Sequence, residues 1–441
     1  MLQPPDIGVA YIIASMKKAG HEVTYFDLNT ELYDKIDEAD KNQLIYSSAS
    51  VLHHEGGKIF TKYIALAVDA IDRVLKCKPD IVGFNVWQMN REVSLEFAAR
   101  IKNAAPSVKI IFGGPEMYPL LSGNQYAKED VVDLVVYGEA EEILVKVLEG
   151  FKRVGEFPPS PGTLRRIDGR VFDGGFGEVP QNLDKLPLPD LTDFPLDLYM
   201  NGALPISFTR GCVHKCEYCS VKMYPHFRSR SAANIVNEIE YRAKTLPGKN
   251  KYFVCDHALN ANYGLINQLC DEIIERGIKA AFAGFAYTHP GADINYLKKM
   301  KRAGFNELIY GVESGSNNIL NAFGKKINIE TIERVIKDTY DAGIDIFVDV
   351  LVGLPGETEE DFKQTLDFIE RNSKYVKKVG VNHFGVRAYS AIYENREIYA
   401  LVPDAVISER IDRLMPVLEK YALPETIKAR QEKSREGAAE R

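Results

Sequence analysis

The stretch PISFTRGCVHKCEYCS, residues 205–220, joins a short β-forming run to three cysteines, Cys212, Cys216 and Cys219, in C-x3-C-x2-C spacing. A run carrying Ile, Phe and Thr that ends at Gly211 reads as a strand, which puts the thiols on the loop just after it. Three thiolates from one loop can converge on one metal centre and leave a coordination position that the loop does not fill. Four-iron clusters normally take four cysteines, and an open position is what a catalytic metal site keeps. A structural zinc completed by His214, His226 or a distant cysteine satisfies the same spacing, so the loop alone leaves both readings open.

Outward from this loop, PISFTRG, KYFVCDH, KAAFAGFA, ELIYGVES, DIFVDVLVGLP and VGVNHFGVRAYS read as strands, each but the last followed by a helical stretch. Such alternation predicts α/β architecture, with a partial (β/α)6 barrel over 204–395 and functional groups on the loops after its strands. Residues 1–150 predict a second α/β unit, a doubly wound, Rossmann-like parallel sheet. Its helices cover GVAYIIASMKKAG, ended by Gly20, and EVSLEFAARIKNA, and its strands HEVTYFDLN, PDIVGFNV, KIIFGGP and VVDLVVYGEAEE. Ligands of such sheets bind at the carboxyl ends of strands, which here carry Gly113, Gly114, Gly138 and Glu139. Between 151 and 203, EFPPSPGT, a hairpin candidate DGRVFDGG and DKLPLPDLTDFPLD predict a proline-rich surface linker. Residues 396–441 predict a helical extension with a polar tail from Glu425.

Composition bounds the function. The chain has 441 residues, 45% hydrophobic and 27% charged, with a net charge of -7, enough to bury a core and without whole-chain attraction to nucleic acid or anionic lipid. The start, MLQPPDIGVAYIIASMKKAG, is broken by Pro4, Pro5 and Asp6 and lacks a signal-peptide pattern. No apolar run approaches the roughly 20 residues of a membrane span, so cytoplasm is the default address. Six cysteines in a chain this long are not a disulfide framework. Cys77, Cys255 and Cys270 read as small hydrophobes, His53 and His54 as solvated loop residues, and FRSRS, with Arg228 and Arg230, as a solvated helix start or an anion contact.

The cysteine loop, with Tyr218 before the last cysteine, resembles the signature of the radical S-adenosylmethionine (SAM) superfamily, and the resemblance covers 204–390. It implies that Cys212, Cys216 and Cys219 hold a [4Fe–4S] cluster whose fourth iron chelates SAM. It also implies reductive SAM cleavage to an adenosyl radical, with ferredoxin or flavodoxin as the class of reductant. Three more segments match in order: FVCDHALNAN with Phe253 and Asp256, LIYGVESGS with Glu313 and Ser314, and VLVGLPGET with Leu351, Gly353, Pro355 and Glu357. The resemblance assigns Tyr218, Asp256, Glu313, Ser314, Leu351 and Gly353 to SAM. Cys255 replaces the first acid of the second-strand motif, and Ala286-Tyr287-Thr288 stands where several relatives carry an arginine.

PDIVGFNVWQMN, KIIFGGPE and DLVVYGEAEE resemble the cobalamin-binding domain of the B12-dependent branch, which implies a corrin contact at Gly113, Gly114, Gly138 and Glu139. The D-x-H-x-x-G loop of many cobalamin folds is absent, with Asp27-Leu28-Asn29-Thr30-Glu31-Leu32 at that place, and the usual opening strand is reduced to Met1-Leu2-Gln3. Trp87 either walls a cofactor pocket or packs the sheet. The combined reading is a B12-type radical SAM enzyme that methylates an unactivated carbon. Its alternatives are rearrangement or cyclisation without methyl transfer, or a non-catalytic zinc-binding module. A small molecule, lipid or peptide is the expected substrate, met by Tyr287, His289, Arg387 and Tyr389; neither a nucleic-acid partner nor a membrane span is expected.

Overall fold

The computed structural model describes residues 4–37, 40, 62–199, 202–223 and 226–418; His53, His54 and the tail from Glu425 lie outside the described residues. Contacts divide the chain into two units, Met1–Gly202 and Ala203–Arg441.

In the first unit, helix α1 (Ile7–Lys18) begins where Asp6 accepts the Val9 amide at 3.1 Å, a side-chain cap for an otherwise unpaired donor. Strands β1 (Ile81–Asn85), β2 (Lys109–Gly113) and β3 (Leu134–Val136) pair in parallel. Ile111, Leu134 and Val136 pack with Met16 of α1 and with Ile143, Val147 and Leu148 of a helix over Ala140–Val154. The side chain of Phe112, adjacent in sequence, meets Phe84 and Tyr126 instead.

Two expectations need correction. Residues 21–27 pair with no strand, and α2 (Leu28–Lys35) starts at Leu28, where Asp27 accepts the Thr30 amide at 3.1 Å. Val23 packs on the core and Tyr25 stacks on Phe194 at 4.3 Å, so the alternating apolar residues are used by side-chain packing without a ladder, which periodicity cannot distinguish from a strand. The proline-rich stretch also contributes to the sheet. β4 (Thr163–Ile167) and β5 (Arg170–Asp173) form a hairpin that extends it antiparallel beyond β3. The turn residues Asp168 and Gly169 have φ of 49° and 75°, the left-handed pair that matches hairpin twist.

The second unit holds the six expected strands: β6 (Leu204–Ile206), β9 (Lys251–Val254), β10 (Ala281–Ala286), β11 (Phe305–Glu313), β12 (Asp345–Val352) and β13 (Lys378–His383). They pair in parallel, in chain order, and β6 does not pair with β13. Two short strands, β7 (Thr209–Arg210) and β8 (Arg228–Ser229), form a separate ribbon around the cysteine loop. Val348, Val350 and Val352 are buried while Phe347, Asp349 and Leu351 between them are less so. Tyr310 donates or accepts at 2.9 Å with Thr339 of the helix over Ile329–Asp341, so its face of the sheet meets the helices. Neighbouring residues of a strand face opposite ways, which turns Ile309, Gly311, Asp349 and Leu351 to the inside.

The helix over Ala232–Thr245 carries a fully buried Glu238. Arg230 lies 2.5 Å from its carboxylate and Arg242 pairs with the other oxygen. Arg230 also donates to the Ser207 carbonyl at 2.9 Å and Arg242 to that of Pro205 at 2.6 Å. The FRSRS reading is corrected accordingly: Arg230 is 3% exposed and its charge is met internally, and Arg228 is buried too. Removing one member of a buried charge group strands the others, at about 3–5 kcal/mol. Glu238→Ala should therefore lower stability by about that amount, read as a drop in the urea midpoint.

Candidate active site

The three thiols sit on a loop fixed at both ends. Gly211 has φ +80°, and a Cβ there would lie 2.7 Å from the His226 carbonyl oxygen, so glycine is required where the loop leaves the ribbon. The Cys219 amide donates to the Cys216 carbonyl at 3.1 Å, and the His214 amide reaches Cys212 Sγ at 3.4 Å. Glu217 ties the middle down: its amide donates to Phe323 at 3.1 Å, and its carbonyl accepts from Ile392 at 3.2 Å. Burial, and then the neighbouring Cys216, push the Cys212 and Cys219 thiols up from their ordinary range. A cation that takes these thiols as thiolates would offset that cost. The donor set, all sulfur on one loop with no carboxylate among the three, suits iron–sulfur or zinc chemistry. Among the described residues, no three His, Cys, Asp or Glu side chains are grouped to hold a single metal ion.

The SAM-assigned residues separate into two groups. Tyr218 and Leu351 pack against one apolar cluster of Ile319, Phe323, Leu354, Phe384 and Ile392. Burial, with Glu313 next, pushes the Tyr218 hydroxyl far above its ordinary range, so it stays protonated. Glu313 ends β11 with φ +71°, at a register break with β12. Beside it lies Lys325, a residue the sequence reading missed. Its ammonium donates to the Gly311 carbonyl at 2.6 Å, to Glu313 at 3.2 Å and to Tyr218 at 3.4 Å. Gly353, at φ +89°, donates its amide to Glu357 at 2.9 Å, and Glu357 in turn pairs with Arg410 at 2.8 Å. Arg410 lies on the C-terminal helix Asp404–Leu418; a Cβ on Gly353 would meet Ile407 at 2.4 Å.

Ser314 and Asp256 point elsewhere. Ser314 is fully buried, lies 3.2 Å from the Thr365 hydroxyl and accepts from the Ser316 amide at 3.1 Å. Its loop presses on the helix Glu359–Asn372, where a Cβ on Gly315 would meet the Gln364 carbonyl oxygen at 2.5 Å. Asp256 is 5% exposed and accepts from Ser207 Oγ at 3.1 Å, the Phe208 amide at 3.0 Å, and the Thr209 amide and hydroxyl at 2.7 Å each.

At the end of β10, Tyr287 packs at a tilt of 45° on His214, 4.0 Å between ring centres, and meets His289 edge-on at 6.3 Å. Asn260, also missed from sequence, holds the Tyr287 backbone through two hydrogen bonds of 2.7 and 2.8 Å. Tyr389 has φ +65°, and the Arg387 carbonyl accepts from Ser390. Cys77 and Cys255 are exposed, unlike the buried Cys270, whose thiol burial pushes up to about 12. In the first unit, Gly114 has φ +103° and a Cβ would meet Asn85 Oδ1 at 2.5 Å, whereas Gly138, at φ +86°, has open space around it. Gly113 carries the β2 end, Glu139 is buried and Trp87 is 49% exposed.

A family model described as the radical SAM superfamily matches residues 206–369, the interval that holds the cysteine loop and the strands β9 to β12. The chain belongs to the radical SAM superfamily. Among curated relatives it is 30% identical over 380 residues to a tRNA-2-methylthio-N(6)-dimethylallyladenosine synthase of Thermoanaerobacter sp. (strain X514), covering 80% of this chain and 72% of that one. It is 23% identical over 379 residues to an uncharacterized methyltransferase of Pyrococcus horikoshii, covering 83% and 73%. Among solved structures, the radical SAM methyltransferase TsrM from Kitasatospora setae, with tryptophan substrate and a SAM analogue bound, superposes with a TM-score of 0.66 at 18% identity over 90% of this chain and 74% of that one. The cobalamin-dependent radical SAM enzyme OxsB gives 0.59 at 20% identity over 75% of this chain, which spans about half of OxsB, 48%. At these identities the structural likeness is one of fold. No helix among the described residues of this radical SAM chain is long and apolar enough to cross a membrane.

Burial raises the Asp256 carboxyl from 3.8 to about 7. Between those values the native chain binds the proton and the unfolded chain does not, so the stability that protonation contributes is lost as pH rises through about 7. The urea midpoint should fall across that window, and Asp256→Asn should flatten the fall.

Proposed function

We propose that this radical SAM chain is a B12-type methyltransferase acting on an unactivated carbon. The observation that carries the reading is the pairing of an all-sulfur, three-cysteine loop after β6 with a second α/β unit whose strand ends open at Gly138. Cys212, Cys216 and Cys219 would hold three irons of a [4Fe–4S] cluster, which when bound supplies the electron that cleaves SAM. Tyr218 and Leu351 offer an apolar wall for adenine, and Gly353 places backbone against it. Lys325 and Glu313 supply the two charges that an amino acid end requires, a cation for carboxylate and an anion for ammonium. That pair answers for the arginine missing at Ala286-Tyr287-Thr288. Gly113, Gly114, Gly138 and Glu139 would border cobalamin, the cofactor bound in the OxsB and TsrM structures. The substrate would lie toward Tyr287 and His289, whose imidazole and phenol suit a small molecule or peptide with polar groups.

The methylthio relatives give a second reading, sulfur transfer with the methyl group. Transferring sulfur needs a sulfur source, and residues 1–202 contain a single cysteine, Cys77, which favours methyl transfer alone.

Methyl-labelled SAM supplied to anaerobically reconstituted protein should place label in a carbon-bound product and release deoxyadenosine, both abolished in Cys216→Ala. Deoxyadenosine without product label would favour rearrangement or cyclisation. Lys325→Met should weaken SAM binding roughly 10- to 100-fold, the loss of one charge-assisted hydrogen bond, measured by equilibrium dialysis on cluster-loaded protein. Unchanged affinity would remove Lys325 from the SAM site.

A further inference from the structure

We infer that Asp256, with the Arg230–Glu238–Arg242 group, forms a buried harness on Pro205–Thr209 that aims the cysteine loop, so that Asp256 is a positioning residue for the iron–sulfur centre and not a contact of SAM. The inference rests on the cluster reading above and departs from the family-based assignment of Asp256 to SAM.

A carboxylate has about four lone-pair sites. Four donors face them: the Phe208 amide and Ser207 Oγ at one oxygen, Ser207 sharing its single proton with the Thr209 carbonyl, and the Thr209 amide and hydroxyl at the other. With its neighbours all donors from 207–209, this buried carboxyl is engaged by the strand end and not turned to a ribose hydroxyl or an ammonium. The same five residues are held through every carbonyl. Pro205 accepts from Arg242 at 2.6 Å, Ile206 from the Cys255 amide at 2.8 Å, Ser207 from Arg230 at 2.9 Å, Phe208 from the Arg230 amide at 2.9 Å, and Thr209 from Ser207 Oγ at 3.0 Å.

The charges are arranged to make this affordable in a dry interior. Glu238, fully buried, faces both arginines, so two cations can reach backbone carbonyls without standing alone. Only Arg210 and Gly211 separate the harness from Cys212, and Gly211 is itself confined by the His226 carbonyl. A shift of Thr209 therefore reaches the first thiol through two residues with little freedom to absorb it.

The test uses the full-length chain. In metal-free protein, Asp256→Asn should speed amide hydrogen exchange over 205–219 by at least about tenfold, with a smaller effect from Thr209→Val, while 305–313 and 345–352 exchange as in the wild type. In cluster-loaded protein, Asp256→Asn should change the electron paramagnetic resonance signature of the reduced cluster and leave SAM affinity unchanged. Unaltered exchange over 205–219 overturns the inference, as does exchange that rises evenly over the whole unit. Weakened SAM binding with an unaltered cluster spectrum also overturns it and returns Asp256 to the SAM site. Should wild-type protein bind no iron, the proposed function fails, while the exchange data still decide whether the harness holds the loop.

Discussion

Three thiols on one loop make a cluster site only if the loop springs from a point that does not move. Backbone groups at a strand end are the ones a sheet leaves unpaired, and burying them unpaired costs about as much as a lost hydrogen bond. Here the amides of Phe208 and Thr209 are met by the Asp256 carboxylate, and the carbonyls of Pro205, Ser207 and Phe208 by Arg242 and Arg230, all buried. The remainder of the loop is tied by Glu217 to Phe323 and Ile392, so the cysteines are held from the strand behind them and from the apolar cluster beneath Tyr218.

The consequence is a division of labour at the barrel's carboxyl end. Tyr218, Leu351, Glu313 and Lys325 gather on one side, with the Lys325 ammonium bonded to Gly311, Glu313 and Tyr218. Residues whose polar atoms are already taken, Asp256 and Ser314, hold the segments that carry the first group. The loop of Ser314 to Ser316 lies so close to the helix Glu359–Asn372 that only glycine fits at 315, which makes the position of Glu313 a packing decision as much as a chemical one. The C-terminal helix joins in through Arg410, whose bond to Glu357 closes the turn at Gly353.

How much of this was legible in the sequence depended on range. The six barrel strands were, because β-forming runs and helices alternate at short spacing, and so was the cysteine loop, because its residues are contiguous. Lys325 was not, because its partners Gly311, Glu313 and Tyr218 are 14, 12 and 107 residues away. Arg230 was misread for the same reason, since only the fold brings Glu238 and Ser207 to it. The alternation in HEVTYFDLN pointed to a strand, and Asp27, a cap residue before a helix, was the local signal that argued the other way.

The claim on which the account turns is that Cys212, Cys216 and Cys219 carry a four-iron cluster whose open iron meets SAM. Metal and sulfide analysis of anaerobically prepared protein, with electron paramagnetic resonance before and after SAM is added, tests it most directly. The account predicts about four irons and four sulfides per chain and a cluster signal that SAM alters. Zinc in place of iron, or a cluster signal indifferent to SAM, would contradict it.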